Sequence, residues 1–317
     1  MTQKLVTRRG ITAGLASVLL ASIALAIGAR ESSAQNLTLE GQTGGFITPT
    51  AYVVQSAKGT IFSHPAIGFH YVHAGNVIGD VYTGSVTEGF GNWAEVGYTR
   101  NAHTNGNNPY FSSLWEFPGM NVFHGKGIVI QENAFGSKWT PGAAVGFVVR
   151  TGDHYVSGAI ANKTYTNEDV YVSLTKTMVN VHVPLLLNFG WKATNASIYG
   201  IGGQSTRFAG RLFGGIGFPL PGPWGTAIVP AAGFTQEPYH VKNLDAFIPG
   251  GGQIPTTLDY AVRITQRENP RFSFDIGVGQ VAGQIGYTEL PTLMGPVVVP
   301  VNLNARSVFG IGASYKF

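Results

Sequence analysis

The sequence predicts an all-β chain: about 12 antiparallel strands running up and down and closing into a barrel that crosses a membrane. Three observations predict it. Short segments alternate between apolar residues and polar or small ones, with the period of two that a strand imposes on its two faces. The connections between those segments alternate in length, short then long. The composition is unlike that of a soluble globule, because only 11% of the 317 residues are charged, against about 25% in ordinary domains. With 44 glycines and 13 tyrosines as well, it suits a wall facing lipid outside and a crowded or wet lumen inside.

Residues 1–34 read as a secretory signal peptide. Lys4, Arg8 and Arg9 form the charged start, Gly10 to Ala29 carries no charge, and Ser32-Ser33-Ala34 offers small residues for cleavage before Gln35. An uncleaved anchor fits less well, because the uncharged run is rich in Ala, Gly, Ser and Thr. Thr7-Arg8-Arg9-Gly10-Ile11 also resembles a twin-arginine signal. That route carries folded proteins and would leave a folded periplasmic β-protein. The segment holds four basic residues and one acidic. The rest has 16 basic and 15 acidic residues, so its net charge is only +1 and nucleic acid is not an expected partner.

Residues 35–60 form a weak strand at best, broken by Gly41, Gly44, Gly45 and Pro49. A plug, an arm and a thirteenth strand are all open for them. Residues 61–317 supply the barrel. Strands are expected over 61–73, 77–88, 92–101, 120–131, 138–150, 165–176, 181–192, 205–217, 226–236, 256–267, 271–283 and 303–317. In 138–150 the apolar set is Trp139, Ala143, Val145, Phe147 and Val149, with Lys138, Thr140, Gly142, Ala144 and Gly146 between. In 271–283 Phe272, Phe274, Ile276 and Val278 oppose Arg271, Ser273, Asp275, Gly277 and Gly279. The segments 61–73, 77–88, 120–131 and 226–236 are less regular.

Short connections fall at Gly89–Gly91, Glu132–Ser137, Thr177–Asn180, Phe218–Gly225 and Glu268–Pro270. Long ones fall at Ala102–Gly119, Thr151–Thr164, Ala193–Gln204, Glu237–Pro255 and Gln284–Asn302. Only Ala74–Asn76 breaks the alternation. The three-residue turn Glu268-Asn269-Pro270 sets a register that places Ile264 beside Phe274, Val262 beside Ile276 and Tyr260 beside Val278. The same register sets Arg263 opposite Asp275 on the other face.

The chain closes on Phe309, Ile311, Ala313, Tyr315 and Phe317 at alternate positions. A terminal aromatic, an apolar residue two before it and a glycine three further back resemble the C-terminal signal of bacterial outer-membrane β-barrels. Phe317, Tyr315 and Gly312 carry that resemblance, and Gly310 departs from it, since a polar residue is preferred there. It implies an outer-membrane location, surrounding lipid, and delivery by the barrel assembly machinery. The opening Gly41-x-Thr43-Gly44-x-x-x-Thr48-Pro49-Thr50-Ala51 resembles the start of several envelope barrels, some linked to polysaccharide export.

Ionisable residues gather on the inward faces. Glu95, Asp169, Arg207, Arg211, Asp259, Arg263, Asp275 and Arg306 are the candidate lumen lining, with Lys192 beside them. They serve either a selectivity lining or a self-paired network that closes the interior. No catalytic set is expected: none of the eight histidines has Ser two residues later, the pairing carried by barrel lipid hydrolases, and none has metal-ligand spacing. Gly277-Val278-Gly279-Gln280-Val281-Ala282 fits a loose dinucleotide pattern but sits inside an alternating strand. With no cysteine, no disulfide or thiolate metal site exists. No cofactor is expected. Three functions stay open: a passive pore for a small polar solute, a closed-lumen structural or polysaccharide-export accessory barrel, and the folded periplasmic β-protein.

Overall fold

The computed structural model of the protein describes residues 36–317 other than 58, 108–111, 113–118, 153–164, 179–180, 202, 240–247, 249–251, 268–269, 282 and 304–306. The signal-peptide expectation for 1–34 and the candidate lining residue Arg306 lie outside the described residues.

Strands β1 (Ala66–His73), β2 (Gly79–Phe90), β3 (Ala94–Asn105), β4 (Gly119–Ile130), β5 (Gly142–Gly152) and β6 (Tyr165–Met178) follow one another along the wall. They continue as β7 (Leu185–Ser197), β8 (Gly203–Gly217), the two-residue β9 (Leu220–Pro221), β10 (Thr226–Thr235), β11 (Thr257–Gln266) and β12 (Phe272–Val281). The hairpin β13 (Gly283–Thr292) and β14 (Gly295–Leu303) precedes the last strand, β15 (Val308–Lys316). Setting aside β9 and the hairpin, each wall strand pairs antiparallel with its neighbour in sequence. The ring closes where β1 lies between β15 and β2: Ala66 pairs with Lys316 on one side and Thr87 on the other. Closure pairs every wall strand on both sides, β8 meeting β10 over Phe213–Gly217 only, and pairing of backbone amides and carbonyls between neighbours is what lets strands cross a bilayer.

The alternation decides which way each residue points. On β12, Phe272 and Ile276 are exposed while Ser273 and Asp275 are buried. The same holds around the wall. Phe69, Val96, Phe123, Phe147, Val170, Phe189, Leu212 and Ile264 are exposed, whereas Thr87, Glu95, Thr99, Lys126, Arg150 and Asp169 are buried. A soluble protein does the reverse with both groups, and rarely exposes a continuous apolar surface beyond a few hundred Å². Small residues on the inner face make room for large ones. A Cβ on Gly190 would lie 2.1 Å from the ring of Phe213, which is buried across the strand pair.

The register expected from the Glu268-Asn269-Pro270 turn is the observed one. Arg263 pairs with Asp275, Ile264 with Phe274, Val262 with Ile276 and Tyr260 with Val278. The connection Gln284–Asn302 differs from expectation, because the hairpin β13–β14 fills it. Pro291 sits opposite Pro296, and Tyr287 opposite Pro300. Prolines interrupt the alternation that marks a strand, and a two-stranded ribbon tolerates them because each strand is an edge. Leu293 and Met294 are fully exposed at its tip. Gly75–Ile78, after β1, is a single helical turn. Among the described residues no helix is long and apolar enough to cross a membrane, which says nothing of a β-barrel.

Candidate functional site: the occupied lumen

Residues 36–54 lie inside the barrel. Leu37, Thr38, Gln42, Thr43, Ala51, Val53 and Val54 are each almost completely buried. The segment folds on itself through isolated bridges, Leu37 with Thr43 and Gly44 with Pro49. Backbone bonds such as Leu39 N–H to Phe46 O at 3.0 Å and Thr50 N–H to Thr43 O at 3.2 Å hold it compact. Its glycines and proline, which spoil a strand, permit these tight reversals. Apolar side chains anchor it: Leu39, Phe46 and Ile47 pack with Val81 and Met120 of the wall and with Tyr199 and Ile201 from the β7–β8 connection. Leu37 and Val54 pack with Ala66.

Three wall ion pairs grip the insert, and each cation also reaches its oxygens. Arg150 is fully buried. Its Nη2 donates to Glu40 Oε2 at 2.7 Å and to Asp169 Oδ2 at 2.7 Å, and its Nη1 donates to Asn167 Oδ1 at 3.2 Å. Its Nε takes the other Glu40 oxygen, so the carboxylate is held side-on. Lys126 Nζ lies 3.1 Å from Glu95 and donates to Thr43 O at 2.7 Å and Thr50 O at 3.0 Å. Arg263 holds Asp275 by two bonds, at 2.7 and 2.8 Å, and donates to Gly44 O at 2.9 Å and Gly45 O at 3.3 Å. Glu95 accepts from the insert in return: Thr43 N–H at 2.9 Å, Thr43 Oγ1 at 2.5 Å and Val54 N–H at 2.9 Å. Each of these three wall cations therefore meets an opposite charge and further hydrogen bonds, the condition under which buried ions are tolerated.

The space beside the Arg150 cluster is small. A cavity of about 20 Å³, bounded by Glu40, Gln42, Asp169, Tyr171 and Lys192 among others, holds about one water. A wider hollow of about 380 Å³ opens at the short-turn end, lined by Tyr52, Gln55, Asn92, Gln131 and Glu132 among others. There Tyr52 Oη donates to Glu132 at 2.8 Å, and the chain leaves the lumen past Gly89. A Cβ on Gly89 would stand 1.8 Å from Val54 O, backbone against side chain. We expect Gly89→Ala to push the insert off the wall there at about 1–3 kcal/mol, the usual range for overpacking. Limited proteolysis of the folded barrel in detergent checks this. Faster cleavage within residues 51–56 is the expected result, and an unchanged pattern refutes it.

Of the candidate lining residues, the structure brings Glu95, Asp169, Arg263 and Asp275 into the grip just described. Arg211 lies apart, donating to Glu237 O at 2.6 Å with its guanidinium 3.9 Å over the Tyr239 ring. Asp259 is buried against Gly233. Arg207 is exposed at the long-loop end of β8. Lys192 is buried, 5.4 Å from the Tyr199 ring. Gly312 sits beneath the His70 ring, while Tyr315 and Phe317 are exposed with their rings 5.1 Å apart, edge to face.

Glu40, Lys126 and Arg150 are not among the lining candidates that the sequence supplies. Arg150 shares parity with Gly142, Ala144 and Gly146, so carrying the alternation to the end of that segment finds it. Lys126 is hidden because its inward parity also carries the buried apolar residues Met120 and Val122, while the other parity carries Asn121, Gly125 and Gly127, so β4 shows no clear apolar–polar alternation. Nothing periodic marks Glu40.

No family model and no curated protein matches the chain. Among solved structures it is similar to the KdgM porin at 9% identity and TM-score 0.44, covering 80% of this chain and 99% of that one. It is similar to the NanC porin at 9% identity and TM-score 0.42, covering 80% and 100%. The COG4313 outer membrane channel from Pseudomonas putida F1 matches at 9% identity and TM-score 0.42, covering 82% and 99%. A closed ring of antiparallel neighbours, apolar outside and charged within, has the architecture of an outer-membrane β-barrel.

Proposed function

We propose that the protein is an outer-membrane channel for small polar solutes, held shut in this state by residues 36–54. One observation carries the reading. The insert belongs to no strand pair of the wall and is gripped by inward side chains. It can leave without breaking a single inter-strand bond of the barrel. The wall it would uncover is polar and charged, as a conducting lumen is. In this reading membrane lipid surrounds the apolar belt and the barrel needs no cofactor and performs no catalysis.

A reversible lock tests it. The chain has no cysteine, and a Cβ on Gly68 would lie 3.4 Å from Leu37 Cβ, near the lower end of disulfide geometry. A Leu37→Cys/Gly68→Cys barrel ties down the insert at the end remote from its covalent link to β1. In planar bilayers we expect current steps from the wild type, silence from the oxidised variant, and recovery on reduction. Equal current in both redox states would show that the insert is not the gate. Silence from the wild type and the reduced variant alike would assign a closed structural barrel instead.

A further inference from the structure

Between residues 36 and 54 the insert carries one charge, Glu40, and the wall meets it with a fully buried arginine. We propose that Arg150 and its wall neighbours are the binding point for a small hydroxylated carboxylate solute, whose place the Glu40 side chain takes in the closed state. This rests on the channel reading of the same lumen. Two N–H groups of one guanidinium on the two oxygens of a carboxylate form a fork that accepts any planar carboxylate. Asn167 and Asp169, both on β6, hold that fork from the wall, so it persists when Glu40 withdraws. The adjoining cavity gives a second, independent pointer. Gln42 Nε2, Asp169 Oδ1 and Tyr171 Oη are buried there with no hydrogen-bond partner among the described residues. Hydroxyl groups suit the two wall atoms, donating to Asp169 and accepting from Tyr171. Further along, Lys126 and Arg263 donate to four insert carbonyl oxygens that solute oxygens would replace. Withdrawing Glu40 also takes one negative charge away from Arg150, with Lys192 standing between the remaining carboxylates Asp169 and Glu237, and so shifts the site toward anions.

The test uses full-length Glu40→Gln in planar bilayers under a KCl gradient, with D-gluconate as the probe. We expect a reversal potential shifted toward that of chloride and a loss of chloride current as gluconate is added. Adding Arg150→Gln should remove that block. Glu40→Asp keeps the charge one methylene shorter and should leak less than Glu40→Gln with the same anion preference. It serves if Glu40→Gln fails to assemble. Current that prefers potassium, or that gluconate leaves unchanged, overturns the carboxylate assignment while leaving the channel standing. Silence from both variants at every voltage overturns the assignment and the channel together.

Discussion

Arg150→Leu is expected to destabilise the folded barrel by about 3–5 kcal/mol, the cost of removing one member of a buried ionic cluster. The guanidinium stands between Glu40 of the insert and Asp169 of β6 and donates to both. Its loss leaves two carboxylates facing each other in a space with room for about one water. The penalty comes from those stranded charges more than from the value of the pair. A further variant separates the two. Arg150→Leu combined with Glu40→Gln and Asp169→Asn removes the net charge and should recover most of the loss. Urea unfolding in detergent, followed by tryptophan fluorescence, measures both. A change below about 1 kcal/mol for Arg150→Leu would place the cluster among screened, hydrated pairs and contradict the burial.

Ile276→Arg should cost about 2–4 kcal/mol, the range for a cation on the lipid face at the bilayer midplane. Ile276 is exposed on β12, paired with Val262 on one side and Ile311 on the other. Aromatic residues flank it along the wall, Phe272 beside Tyr315 toward the short-turn end and Val278 beside Phe309 toward the other. Aromatic girdles mark the two interfaces, so Ile276 lies between them, where an arginine reaches no water without distorting the bilayer. Tyr315→Arg, at the rim, should cost no more than about 1 kcal/mol. Equal small effects at both positions in lipid vesicles would mean that the belt does not face hydrocarbon.

The same contrast separates what was legible in the sequence from what was not. Period two along a strand is a local property. Phe272 to Val278 and Leu258 to Ile264 therefore declared their faces without any tertiary information, and a three-residue turn carried that pattern across to the neighbouring strand. From those, the sequence by itself determined an all-β barrel, its outer belt, the alternation of its connections and the Arg263–Asp275 pair. It did not determine the lumen's contents. Residues 36–54 have no period, because their backbone bonds close on the segment itself rather than on a neighbouring strand. Glu40 and Arg150 are 110 residues apart. Alternation states that Arg150 points inward but not what it meets. Only the tertiary structure, by wrapping the wall around the insert, decided that Glu95, Lys126, Arg150 and Arg263 are taken up by the chain's own segment.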